Sequence, residues 1–106
     1  MLQLGNLEET VLLLVIVMKG QAYAYALSKE YEDQTGKRIS ISAVHTVLTR
    51  LEKKGLISSE MGGATDERGG RRKRLFQVTA LGRVAVEELK ANRLKLWKQI
   101  PGLDVS

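Results

Sequence analysis

The chain has 106 residues, enough for one modest hydrophobic core and too few for a catalytic domain joined to a regulatory one. Its 17 Lys and Arg outnumber 12 Asp and Glu, and the net charge of +5 favours an anionic partner, nucleic acid ahead of an anionic membrane surface. With no cysteine and His45 as the single histidine, disulfides, thiolate metal sites and histidine metal clusters are excluded, and a reducing cytoplasm is the expected setting.

The opening Met1-Leu2-Gln3-Leu4-Gly5-Asn6 lacks the basic start and small-residue cleavage site of a secretory signal, so the whole chain is expected to be a soluble mature protein. Asn6 is read as the N-cap of a first helix, with Glu8 and Glu9 in the first turn where the helix dipole favours negative charge. That helix runs to about Lys19 and stops at Gly20. Its apolar run, Val11 to Met18, falls far short of the ~20 residues that cross a bilayer, so it reads as a helix buried inside the fold. A single protomer of this size would struggle to cover all its sides, which points to a second subunit.

Tyr23, Ala26, Leu27 and Tyr31 recur at spacings of three and four, predicting a one-sided second helix over Tyr23 to Gln34, with Gly36 as its stop. Tyr23 and Tyr25 are read as partly buried packing residues, with contact to a nucleic acid as the less favoured reading. Ser40 caps a third helix from Ile41 to Lys54, closed by Gly55. Its apolar stripe is Val44, Val47, Leu48 and Leu51. The opposite face offers Ser42, His45, Thr46, Thr49, Arg50 and Lys53.

Leu56 to Met61 reads as a strand, and Arg74 to Val78 as its returning partner. The turn between them, Gly62 to Lys73, combines glycines with a dense group of cations, giving a hairpin with a basic tip. Thr79 caps a last helix whose apolar side is Val86, Leu89, Leu96, Trp97 and Ile100, ended by Pro101-Gly102.

A mainly α chain with one small β-hairpin, in this element order, is the pattern of a winged helix-turn-helix followed by a C-terminal dimerisation helix. In that pattern the third helix enters the major groove and the hairpin tip touches the neighbouring backbone of duplex DNA. Residues 1–79 are assigned to the DNA-binding unit and residues 80–106 to the dimerisation helix and tail. Ser42 lies where free backbone N–H groups favour a phosphate. His45, Thr46, Thr49, Arg50 and Lys53 continue along the outward face, with His45 or Arg50 the candidates for base edges. Arg68, Arg71, Arg72, Lys73 and Arg74 form the basic wing. A run of this kind is more often a solvated charged surface, but its position between two strand patterns favours DNA contact.

The stretch Ser40 to Ile57 (SISAVHTVLTRLEKKGLI) and the stretch Arg71 to Arg83 (RRKRLFQVTALGR) resemble the two signature stretches of PadR-type regulators. Most specific are Leu-x-x-Leu-Glu-x-x-Gly-Leu-Ile from Leu48 to Ile57 and Val78-Thr79-x-x-Gly82. The resemblance implies an N-terminal winged helix, a C-terminal dimerising region, and repression of genes for transport, efflux or detoxification. Where such regulators usually carry tyrosine and proline in the third helix, this chain has His45 and Thr46. Leu75 and Phe76 replace the usual tyrosine pair of the returning strand. The short C-terminal helix matches the compact members.

Trp97, the single tryptophan, lies late in a helix with nothing left in one protomer to cover it. A homodimer is therefore expected, with plain packing across the two-fold axis favoured over a seat for a small aromatic ligand. The partners implied are an inverted-repeat DNA operator and a second copy of the chain, with no membrane and no cofactor. A winged helix can also act as a protein-interaction module in which DNA plays no part. No paired acid and base and no phosphate-cradling motif supports an enzyme.

Overall fold

Glu8 starts the first helix, but not by the route the sequence suggests. The computed structural model describes residues 3–62 and 72–103. In it, α1 (Asn6–Val17) takes Gly5 as its N-cap rather than Asn6. The Glu8 carboxylate accepts the Gly5 N–H at 3.1 Å, satisfying one donor that the helix start leaves open. Asn6 is thereby drawn into the helix, and its carbonyl accepts the Thr10 hydroxyl at 3.0 Å. Val11, Leu12, Leu14 and Val15 are buried, while Leu13 and Val17, one turn apart, remain exposed. The most apolar helix of the chain thus keeps one edge outside its own protomer. Lys19 and Gly20, both at positive φ, turn the chain away.

The second helix, α2 (Ala24–Thr35), buries Leu27, packs Tyr31 against the core and closes on Gly36 at φ 75. Tyr23 is its N-cap. The Ser28 hydroxyl donates to the Ile39 carbonyl at 2.8 Å, which fixes the approach to α3 (Ile41–Lys53). As expected, Ser40 caps α3, its hydroxyl accepting from the Ala43 N–H at 3.1 Å. Val44, Val47, Leu48 and Leu51 are all buried. Each such side chain taken out of water contributes roughly 1.5 to 3 kcal/mol, so this stripe binds α3 to α1 more strongly than any polar contact.

Just past α3, Lys54 donates to the Gln3 carbonyl at 3.1 Å and to the Glu8 carboxylate at 2.7 Å. The end of α3 is thereby tied to the start of α1. Strands β1 (Ile57–Met61) and β2 (Arg74–Val78) pair antiparallel, with Ile57 opposite Val78 and Met61 opposite Arg74. Leu56, expected inside the strand, precedes it: buried, it accepts the Thr79 N–H at its carbonyl. The buried Phe76 donates its N–H to the Ala22 carbonyl at 2.8 Å, seating the hairpin against the chain that enters α2. An isolated bridge of this kind has no periodicity to announce it in a sequence.

Thr79 caps α4 (Ala80–Trp97), accepting from the Gly82 N–H at 3.0 Å and donating to the Gly55 carbonyl at 2.6 Å. Ala85 and Val86 pack against the core, and Arg93 pairs with Glu9 of α1. Beyond that point the helix projects, and the molecule measures 56 × 28 × 22 Å. Leu96, Trp97, Ile100 and Leu103 are all exposed. Ile100 lies past the helix end, in the turn that Gly102 closes, because the last helical residue is Trp97. Among the described residues no helix is long and apolar enough to cross a membrane.

Candidate nucleic-acid interface

Burial of one stripe of α3 forces the other outward. Ser42, His45, Thr46, Thr49, Arg50 and Lys53 are all exposed, so the structure brings together every α3 residue picked out from the sequence. They do not, however, form one uniform surface. His45 and Glu52, seven residues and two turns apart, lie along one edge of the exposed face, and Arg50 lies along the other. The His45 edge faces the hairpin. The Arg50 edge faces α1, where its charge helps Lys54 hold the Glu8 carboxyl below its ordinary value.

At the head of α3, Ser40 satisfies the Ala43 N–H, and the Val44 N–H donates to the Ser40 carbonyl. The N–H groups of Ile41 and Ser42 have no partner within the helix and point along its axis, where an anion would be favoured. Further along, the Thr46 hydroxyl donates to the Ser42 carbonyl at 3.1 Å and the Thr49 hydroxyl donates to the His45 carbonyl at 2.9 Å. With their protons committed, these threonines offer acceptor lone pairs and methyl groups outward, suited to base donors and to the thymine methyl.

Between the heads of α2 and α3 and strand β2 lies an open groove of about 250 Å³, bordered by Tyr23, Tyr25, His45, Arg72, Lys73 and Arg74. Tyr25 is exposed, contrary to the packing role expected from the sequence, whereas Tyr23 is partly buried as expected. The Lys73 ammonium sits 4.4 Å from the centre of the Tyr23 ring, a distance at which the ring face attracts the cation. That contact holds Lys73 at the border of the groove, beside the head of α2. Arg72 is exposed beside it. Arg68 and Arg71, also assigned to the wing, lie outside the described residues.

A second groove, of about 400 Å³, runs between α1 and α4. Leu13, Val86, Leu89, Leu94 and Trp97 line it, with Glu9 and Arg93 at its rim. It brings together three of the five residues assigned to the dimer face and omits Leu96 and Ile100. Leu13 and Leu94 were not picked out from the sequence. Leu13 shows no break in a continuous apolar run, and only the placement of α4 reveals which of its neighbours stays uncovered.

Residues 12–88 match the sequence model of the transcriptional regulator PadR-like family. The chain is 31% identical over 98 residues to an uncharacterized protein of Lysinibacillus sphaericus, covering 91% of this chain and 82% of that one. It is similar to a PadR family transcriptional regulator from Eggerthella lenta, at 29% identity and a TM-score of 0.64, covering 82% of this chain and 73% of that chain. It shares its fold with Bacillus subtilis PadR in complex with operator DNA, at a TM-score of 0.66 and 17% identity, covering 80% of this chain and 46% of that chain.

Proposed function

This chain belongs to the PadR-like family of transcriptional regulators, and on that premise we propose that it is a homodimeric repressor that binds an inverted-repeat operator. The observation that carries this reading is the exposed face of α3. Ser42, Thr46, Thr49 and Lys53 stand outward on one helix, flanked by His45 on the side of the hairpin and its cations. Two such helices, related by a two-fold axis, would enter successive major grooves about one helical turn apart. Arg72, Lys73 and Arg74 hold phosphates beside them, with Arg68 and Arg71 assigned the same role from sequence. Residues 1–79 constitute the DNA-binding unit and residues 80–106 the dimerisation segment.

The dimer forms through the apolar groove between α1 and α4, where Leu13 and Trp97 await a second copy of the same surface. Its volume and its tryptophan also suit a flat aromatic effector, which would alter the distance between the two α3 helices and release the operator. The regulated genes belong to transport, efflux or detoxification, and the protein works in the cytoplasm.

Fluorescence anisotropy of the purified protein on its own upstream duplex and on a scrambled duplex, across a range of salt, tests the proposal. Preference for the native duplex that persists in salt supports a sequence-specific regulator. Equal binding to both that vanishes with salt rejects it.

A further inference from the structure

Glu52 is an acidic side chain on the hairpin edge of the same helix face that carries His45 and Thr49, two turns along from His45. A carboxylate in that place would repel a phosphate backbone, yet its contacts give it a different part. The Ser59 hydroxyl of β1 donates to Glu52 Oε2 at 2.7 Å, and the Arg74 Nη1 of β2 donates to the same Ser59 oxygen at 3.0 Å. The register explains the meeting. Ser59 lies opposite Phe76, and Arg74 is two residues from Phe76, so all three side chains share the sheet face turned toward the body of the protein.

We propose that Glu52 and Ser59 form a positioning relay that holds the Arg74 guanidinium ready for a DNA phosphate. The inference rests on the DNA-binding reading above. Its logic lies in what the relay leaves free. A direct Arg–carboxylate pair is commonly bidentate and would engage two of the five guanidinium N–H groups against a full negative charge. With Ser59 as spacer, one N–H is engaged by a neutral oxygen, which the carboxylate fixes in orientation by accepting its proton. Among the described residues the other four have no partner and remain for an anion. Arg74 is thus fixed in direction without being neutralised, and the loss of side-chain freedom that phosphate binding demands is already met. The relay also couples the base of the wing to α3, so the two elements meet DNA as one rigid surface.

The test uses the full-length protein and a labelled duplex of mixed sequence at low salt, because phosphate contacts are independent of sequence. A failure of operator preference in the earlier experiment therefore leaves this one intact. Ser59→Ala should weaken binding about two- to twelvefold, the range that corresponds to ordering one long side chain. In an Arg74→Ala background, Ser59→Ala should have no further effect, and Ser59→Thr, which keeps the hydroxyl, should bind like the unaltered protein. Glu52→Ala should weaken binding although it removes a negative charge. The relay is overturned if Ser59→Ala weakens binding equally with and without Arg74, if it leaves affinity unchanged, or if Glu52→Ala strengthens binding. If the unaltered protein binds no duplex at all, the relay and the DNA-binding reading fall together.

Discussion

Gly82 lies against the backbone of Leu56 so closely that a Cβ on it would stand 2.1 Å from the Leu56 carbonyl oxygen and 2.7 Å from Val78 Cγ2. A helix can approach a neighbouring main chain this closely only where it has no side chain. In an open helix position, Gly→Ala is worth about 1 kcal/mol of added stability. Here the sign should reverse. Gly82→Ala is expected to lower stability by about 3 kcal/mol or more, because the atom that blocks it is backbone and cannot swing aside. A urea titration followed by circular dichroism would measure the shift in midpoint.

Thr79 acts at the same joint through its hydroxyl, which caps α4 and donates to Gly55. Thr79→Val, similar in shape but without the hydroxyl, should cost about 1 to 2 kcal/mol, while Thr79→Ser retains both bonds and most of the stability. Thermal unfolding of the two variants beside the parent would separate them.

Glu8 carries the pH dependence legible in the structure. Donation by Lys54 holds its carboxyl below the usual value, helped by the Gly5 N–H and by nearby Arg50 and opposed by partial burial. A depressed folded-state pKa means that the unfolded chain binds the proton more readily. The stabilisation is therefore present above the ordinary pKa of 4.5 and is lost as the pH falls through the lower folded value. Glu8→Gln should cost about 1 to 2 kcal/mol near neutrality and flatten the acid limb of a stability-against-pH curve. An unchanged acid limb would refute the assignment.

On the wing, Arg72 and Lys73 lie within the described residues and border the groove beside α3. Replacing both with alanine should weaken binding to all duplexes alike. The plot of log affinity against log salt should flatten by about 0.9 for each phosphate contact removed. A salt slope equal to that of the parent would show that these cations do not touch DNA.

Trp97 gives the dimer proposal its own signal, being the sole tryptophan of the chain. Its emission should shift to shorter wavelength as protein concentration rises through the dimerisation range. Trp97→Ala should weaken self-association by more than tenfold, in keeping with an aromatic anchor at the centre of an interface. Sedimentation velocity on the parent and the variant would report it, and identical profiles would place the interface elsewhere.

The elements of the fold were largely legible in the sequence because their signals are local. Ser40, Thr79, Gly36 and Gly55 mark helix ends by the chemistry of single residues, and the stripe from Val44 to Leu51 follows from helical spacing alone. The errors fell where a distant partner intervenes. Asn6 yielded the N-cap to Gly5 because Glu8, itself held by Lys54, reaches back to the Gly5 N–H. Tyr25 stands exposed where the sequence suggests packing, since an aromatic ring carries no mark of which way the chain will turn it.

The candidate site divides in the same way. Six of the exposed α3 residues could be picked out because a buried stripe dictates its opposite face. The Arg74–Ser59–Glu52 chain, the seat of Lys73 on Tyr23 and the meeting of Leu13 with Trp97 across a groove could not. Each joins elements whose relative placement depends on the whole core. The sequence by itself determined the helices, the two paired strands and the family. Among the described residues, tertiary structure alone decided which charges are held and which apolar edge remains open, because those depend on distances across the fold, and a linear pattern of residues encodes only distances along the chain.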